Sequence, residues 1–227
     1  MAFWSTLFST KKETAPPPAL ESLRVQVYRS DCVAMQVLKK QSAGHFATRP
    51  LVHGLLEVLV SQNAQGESVM RWDVARAYGK SDHELFALGA AQGAARTKVV
   101  TNDFEFGVQM MASNDFYLSS LLLQSFAKGN HAHGVLFSPI SWHHWCVHVV
   151  QAQTLPPLVA MMVMLSREAQ KMMHVAEYEA LTGELYWYKP GGVIEKLELE
   201  GDGADVRATS PELQQAMDAA FQASMRR

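Results

Sequence analysis

The chain has 227 residues, 48% of them hydrophobic, and a formal net charge of −2. This length predicts one medium domain with appendages, and the balanced charge excludes a nucleic-acid binder that acts through excess positive charge. The two cysteines, Cys32 and Cys146, exclude a secreted disulfide framework, and the apolar runs are far shorter than the about 20 residues of a membrane span, so we expect a cytoplasmic protein.

The first residues form an apolar tip that precedes a proline-rich linker. Its apolar side chains recur at helical spacing and are followed by two lysines; they are Phe3, Trp4, Leu7 and Phe8. We expect this tip to dock on its own domain or on a partner. Aromatic side chains beside lysines are also typical of a weak interfacial anchor, so the alternative is a weak contact with a membrane surface.

The next part of the chain has the pattern of strands. Hydrophobic and polar residues alternate over residues 23–27, and residues 33–38 are a second extended stretch that we expect to pair with them. Residues 55–61 and 68–72 flank a polar, glycine-containing segment, residues 63–67, which predicts a hairpin.

Helices are predicted next. Ser81 and Glu84 have the spacing of a capping box, and the helix behind them, residues 85–96, is rich in alanine and glycine, which allow close packing. Residues 104–111 are predicted to form a strand. A second helix is predicted with Asn114 or Asp115 as its N-cap. Its apolar residues are Leu118, Leu121, Leu122 and Phe126, and Gly129 lies just past its end, as is typical of helix C-termini.

The last third mixes both element types. Strands are predicted at residues 135–138, closed by Pro139, and at residues 143–150. A helix that begins at Pro156 and Pro157 carries one apolar stripe, formed by Leu158, Met161, Met162, Leu165, Ala169 and Met172. A hairpin of residues 184–188 and 193–200 and a final helix, capped by Ser210 with Pro211 at its first position, complete the chain.

Helices and strands therefore interleave without regular alternation, and hairpins recur. This order predicts an α+β fold, with a mostly antiparallel sheet covered by about four to five helices. We divide the chain into the tip and linker at residues 1–20, the α+β domain at residues 21–203, and a C-terminal helix, residues 204–227, packed on that domain.

A family resemblance follows from this order of elements. The matching pieces are the capped helix from Ser81, Asn114-Asp115-Phe116-Tyr117 before a leucine-rich helix, the strand that ends at Pro139, the methionine-rich helix, and residues 181–188 before a glycine turn. Over a little more than half of the chain, this arrangement resembles the YtpQ-like family of uncharacterised bacterial proteins. The resemblance implies a bacterial, cytoplasmic accessory protein, and it carries over no catalytic residue.

Five histidines lie within 18 residues of one another, with a cysteine among them; they are His131, His133, His143, His144 and His148, with Cys146. These are ligand types that zinc takes. In a helix, His144 and His148 would lie one turn apart and could share an ion. In the strand that we favour they are about 13 Å apart, so a zinc site would have to draw on the neighbouring strand, with His133, His144 and His148 as its ligands.

Nucleophilic catalysis has little support in the sequence. No GxSxG motif and no phosphate-binding glycine loop is present, and Cys146 between two histidines lacks a recognisable oxyanion feature.

The remaining candidates are surfaces for another protein. The methionines of the predicted helix form either core or an adaptable binding face. Tyr186, Trp187 and Tyr188 alternate across a hairpin, so one aromatic face is exposed unless something covers it, and we take them as partner-binding residues. We expect a non-catalytic accessory protein, of an immunity-like kind, that binds another protein; the alternative is a metal-dependent hydrolase that uses the residues from His131 to His148.

Overall fold

The computed structural model describes residues 17–32, 35–36, 45–63, 66–152, 154, 157–172, 180–201 and 205–226. Every pairing between described strands is antiparallel, and the helices lie against the sheets, so the predicted α+β class is confirmed. The predictions for Phe3, Trp4, Leu7 and Phe8, and for most of residues 33–38, lie outside the described residues. None of the described helices combines the length and the hydropathy that crossing a membrane requires.

Twelve strands and five α-helices have described bounds. The strands are β1 (Leu23–Arg29), β2 (Thr48–Val52), β3 (Leu55–Asn63), β4 (Gly66–Val69), β5 (Val100–Asp103), β6 (Gln109–Ala112), β7 (Val135–Pro139), β8 (His144–Val149), β9 (Tyr186–Tyr188), β10 (Ile194–Lys196), β11 (Leu199–Glu200) and β12 (Arg207–Ala208). The helices are α1 (Trp72–Arg76), α2 (Asp82–Arg96), α3 (Leu118–Lys128), α4 (Pro157–Met172) and α5 (Pro211–Met225).

The strands form two main sheets. In the first, β1 pairs with β3, and the other side of β3 is shared by β2 and β4, which confirms the predicted β3–β4 hairpin. The second has six strands in the order β10-β9-β7-β8-β6-β5. A small pair, β11 and β12, precedes α5, whose predicted cap Ser210 accepts a hydrogen bond from the backbone N–H of Leu213.

Three apolar cores separate these layers. The first lies between α2 and the four-stranded sheet, and includes Leu59 and Phe86. The central core joins that sheet to α3 and to one face of the six-stranded sheet, where Trp145 lies. The third core fills the opposite face of the six-stranded sheet, beneath α4 and α5, and includes Cys146 and Leu213. Successive residues of β8 thus enter different cores, as the two-residue period of a strand requires.

Side chains cover the outer edge of β1. The Ser120 hydroxyl donates to the Val25 carbonyl at 2.8 Å, and the Trp142 indole N–H donates to the Val27 carbonyl at 2.8 Å. Because β1 pairs only with β3 among the described strands, these carbonyls would otherwise lack strand partners in the buried interior. The two sheets are therefore joined by side chains rather than by a strand ladder.

Helix α2 begins with the predicted capping box: Ser81 accepts from the N–H of Glu84, and the Glu84 carboxylate accepts from the N–H of Ser81. Its buried glycines allow close packing, because a Cβ at Gly89 would lie 3.1 Å from the Arg24 carbonyl carbon and from the Leu59 side chain.

We expect Gly89→Val to lower the free energy of unfolding by about 1–2 kcal/mol, because the added methyls must push apart α2 and the sheet. Chemical denaturation measures this. Ala91→Val, at an exposed position of the same helix, is the control and is expected to cost about 0.5 kcal/mol. Equal losses for the two variants would show that the close approach at Gly89 does not limit stability.

Two predicted elements are wrong. Residues 104–111 are not one strand: a 3-10 turn, Glu105–Gly107, separates β5 from β6, and Phe106 has a φ of 57°. Neither Asn114 nor Asp115 caps α3, whose N-cap is Tyr117 and whose first turn has no side-chain cap hydrogen bond from that residue. The N–H of Asp115 instead donates to the Ser113 hydroxyl, and this local turn takes the place of the cap.

Candidate functional site

The predicted strand around the histidines is confirmed as β8. His144, Cys146 and His148 occupy alternate positions and share one side of it, so the two histidines lie about 13 Å apart along the strand. Cys146 is buried beneath α4, and burial raises the pKa of its thiol to about 12, so it is a core residue rather than a nucleophile.

His148 is 1% exposed, and both of its ring nitrogens have partners. Nδ1 lies 3.1 Å from the Gly107 carbonyl oxygen, and Nε2 lies 2.7 Å from the Thr154 hydroxyl. A carbonyl only accepts, so Nδ1 carries the proton and Nε2 accepts from Thr154. Burial lowers the pKa of this imidazole from its ordinary value of 6.5. His148 is thus a neutral internal brace with no lone pair left for an ion.

The third predicted ligand, His133, lies elsewhere. Val135 pairs with Val149 and Leu136 with His148, so His133 precedes the β7–β8 ladder, roughly 10 Å along the strand from the level of His148. Within the part of the chain that the structure describes, no three histidine, cysteine, aspartate or glutamate side chains are placed to hold a metal ion. The structure therefore does not bring the three predicted ligands together.

The predicted aromatic surface is covered on both sides. Tyr186 is 0% exposed and stacks on Phe137 in the central core, with ring centroids 5.4 Å apart. Trp187 is 3% exposed in the third core, where its indole N–H donates to the His133 carbonyl. Only Tyr188 is half-buried. Strand β9 lies inside the six-stranded sheet, between β7 and β10, and both of its faces are packed, so Tyr186 and Trp187 are not available to a partner.

A polar cavity of about 600 Å³ lies where β6, β8 and the start of α3 meet; its walls include Lys98, Asn114, Asp115, His143 and His144. The Nδ1–H of His143 donates to the Ser113 carbonyl at 3.0 Å. Partial burial and the neighbouring His143 lower the pKa of His144.

Ser141 lies 3.2 Å from Nδ1 of His144, the spacing of a nucleophile and its base. However, Ser141 is buried, and its hydroxyl already accepts from the backbone N–H of His143. The pair therefore braces the β7–β8 turn, and the cavity offers polar contacts without an accessible nucleophile.

The apolar stripe predicted on α4 is only partly correct. The face against the sheet includes Leu158, Met162 and Ala169, as predicted, but Met172 is 77% exposed. A groove of about 480 Å³ follows the outer side of the helix; its described lining residues are Pro157, Ala160, Met161, Val163, Met164, Arg167, Glu168 and Lys171. Helix α4 is therefore apolar on two sides, and the sheet buries only one of them. We call the outer side the methionine groove.

A second exposed surface was not anticipated from the sequence. All four residues of β5, at one edge of the six-stranded sheet, are exposed. Val100 is 65% exposed, and Phe104 and Phe106 beyond the strand are also large exposed hydrophobics. The available signal was Phe106-Gly107, since a glycine after an aromatic residue indicates a turn within an apolar stretch.

Comparisons of the chain with protein-family models, with curated proteins and with solved structures find no match.

Proposed function

We propose that the protein acts without catalysis, by binding another protein through the methionine groove. The observation that supports the proposal is the second apolar side of α4, where Met164 is 55% exposed over a floor that includes the buried Ala160 and Val163. Methionine side chains repack readily around a partner, and methionine and arginine are both enriched at protein interfaces.

The rim of the groove indicates the chemistry of the partner. Lys171 pairs with Glu168 at 2.8 Å, whereas Arg167 belongs to no ion pair among the described residues. An unpaired cation beside an apolar floor favours an amphipathic helix that carries an acidic residue next to its apolar anchors. Our proposal includes a cytoplasmic, accessory role of the immunity-like kind, whereas a membrane contact through Phe3, Trp4, Leu7 and Phe8 stays a prediction.

The two exposed methionines of α4 provide a matched test. Met164 lines the groove and Met172 does not, so we expect Met164→Asp to reduce partner capture at least about tenfold and Met172→Asp to change it less than about twofold. The measurement is quantitative affinity capture from cells of the source organism, with a photo-crosslinker at position 161 to identify the contact.

Both substitutions lie at exposed positions, so thermal unfolding of the variants is expected to match that of the wild type. Arg167→Glu should weaken capture of an acidic partner. A compensating acidic-to-basic substitution in the partner should then restore capture by the Arg167→Glu variant. A partner retained equally by the wild type, Met164→Asp and Met172→Asp would contradict binding at the methionine groove.

A further inference from the structure

The two edges of the six-stranded sheet are in different surroundings. The β10 edge lies against β2 of the other sheet. The β5 edge has four exposed residues in succession and exposed hydrophobic side chains beside it. An exposed edge strand is a template for pairing with another strand.

The backbone groups at this edge can be assigned from the hydrogen bonds on its inner side. The N–H of Phe104 donates to the Val108 carbonyl at 2.8 Å, across the β5–β6 hairpin. Alternate residues of a strand direct their backbone groups to opposite sides, so Val100 and Asn102 also face β6. The N–H and C=O groups of Thr101 and Asp103 therefore point outward.

Charges around β5 are arranged so that the edge complements itself. Arg96 and Lys98 precede the strand, and Asp103 and Glu105 end or follow it. None of these four residues belongs to an ion pair in the described parts of the chain. When two copies pair antiparallel, the basic start of each strand lies beside the acidic end of the other. A two-fold axis repeats this contact between basic and acidic residues at both ends of the paired strands.

We propose that β5 pairs with β5 of a second copy, antiparallel about a two-fold axis, to form one continuous twelve-stranded sheet. Two opposed residues must both direct their backbone N–H and C=O groups towards the other copy or both direct them towards β6. This condition leaves two central registers, with Thr101 opposite Thr101 or Asn102 opposite Asn102. The Asn102 register places Val100 opposite Phe104 on both sides of the axis, so the exposed apolar side chains cover each other.

In this register Thr101 is opposite Asp103, and the two copies exchange four backbone hydrogen bonds. The interface is small, so we expect a reversible dimer with a Kd on the order of 10–100 µM. It shares no residue with the methionine groove, and its presence does not depend on the function proposed above.

Single cysteines test the register. In the proposed dimer, the two copies of residue 102 face each other as a non-hydrogen-bonded pair, close enough for a disulfide, whereas the two copies of residue 101 are about 7–8 Å apart on the diagonal. We expect Asn102→Cys to form a covalent dimer under mild oxidation at 100 µM, on the order of the Kd, and Thr101→Cys to form at least about fivefold less. The native Cys32 and Cys146 are buried and do not interfere. Equal crosslinking of both variants, or of neither, would overturn the proposal.

Charge reversal tests whether the strand that pairs with β5 belongs to a second copy of this chain. Lys98 and Glu105 are exposed, so their substitution leaves the fold intact. By symmetry each reversal replaces two attractions by two repulsions, and we expect Lys98→Glu or Glu105→Lys alone to raise the dimer Kd about tenfold, measured by sedimentation equilibrium. Combining both in one chain should restore the Kd to within about threefold. A wild type that is monomeric at about ten times the expected Kd would instead indicate that the edge serves a different partner strand, and would overturn the proposal.

Discussion

Replacing Trp142 with alanine is expected to lower the free energy of unfolding by about 3–5 kcal/mol, the largest loss that we expect from any single substitution considered. Trp142 is buried where the two sheets meet. Its ring makes edge contacts with Tyr28 at 5.1 Å and Phe116 at 5.6 Å, and its N–H satisfies the Val27 carbonyl. Alanine removes the packing and leaves that carbonyl unpaired in the interior.

Trp142→Phe separates the two contributions, because phenylalanine keeps an aromatic ring but has no N–H to donate. We expect it to cost about 2 kcal/mol, from the lost hydrogen bond and the smaller ring. Urea denaturation followed by far-UV circular dichroism measures both variants. A loss below about 1 kcal/mol for the alanine variant would contradict the role of Trp142 as the junction of the sheets.

Replacing His148 with leucine is expected to cost about 2–3 kcal/mol at pH 7.5, because the buried Thr154 hydroxyl loses the acceptor of its proton and the Gly107 carbonyl loses the imidazole N–H. The substitution is also expected to change how stability depends on pH. Burial lowers the pKa of His148 in the folded protein, so the unfolded chain takes up this proton first as the pH falls.

The wild type should therefore keep the contribution of neutral His148 above pH 6.5, the ordinary pKa, and lose it as the pH falls from there towards the folded-state pKa. His148→Leu lacks this loss, so the difference in stability between the two proteins should narrow between pH 6.5 and pH 5, a window set by the ordinary histidine pKa of about 6.5. His144, whose pKa is also lowered, leaves a residual slope of the same sign. Exposed His83→Gln is the control, and parallel stability curves for the wild type and His148→Leu would contradict the assignment.

Local chemistry explains which elements were predictable. The capping box at Ser81, the Ser210-Pro211 helix start and the alternation along β8 each depend on a few adjacent residues, and all three are confirmed. The β5–β6 hairpin was missed because residues 104–111 are rich in apolar residues; a single glycine, Gly107, marks the reversal in the sequence, and the backbone at Phe106 makes it with a positive φ.

The candidate site depended on tertiary contacts that no local pattern records. Helix α4 has apolar residues on two sides, and only the position of the six-stranded sheet decides that Met162 is buried and Met164 exposed. In the same way, the alternation of Tyr186, Trp187 and Tyr188 predicted one exposed aromatic face, but Tyr186 and Trp187 pack into cores on opposite faces of β9. The extended form of residues 143–150 was predicted correctly, and it is the reason that His144 and His148 stay apart.

The side chains that cover β1 come from far along the chain. Ser120 and Trp142 lie 95 and 115 residues after the carbonyls that they satisfy. During synthesis the N-terminal sheet therefore emerges from the ribosome well before its cover does, and β1 remains an open strand until the segment through Trp142 has been made. A nascent chain halted before that point has an unpaired strand edge that can pair with other chains. We therefore expect the time during which chaperones can bind this edge to depend on how long translation takes to reach β8.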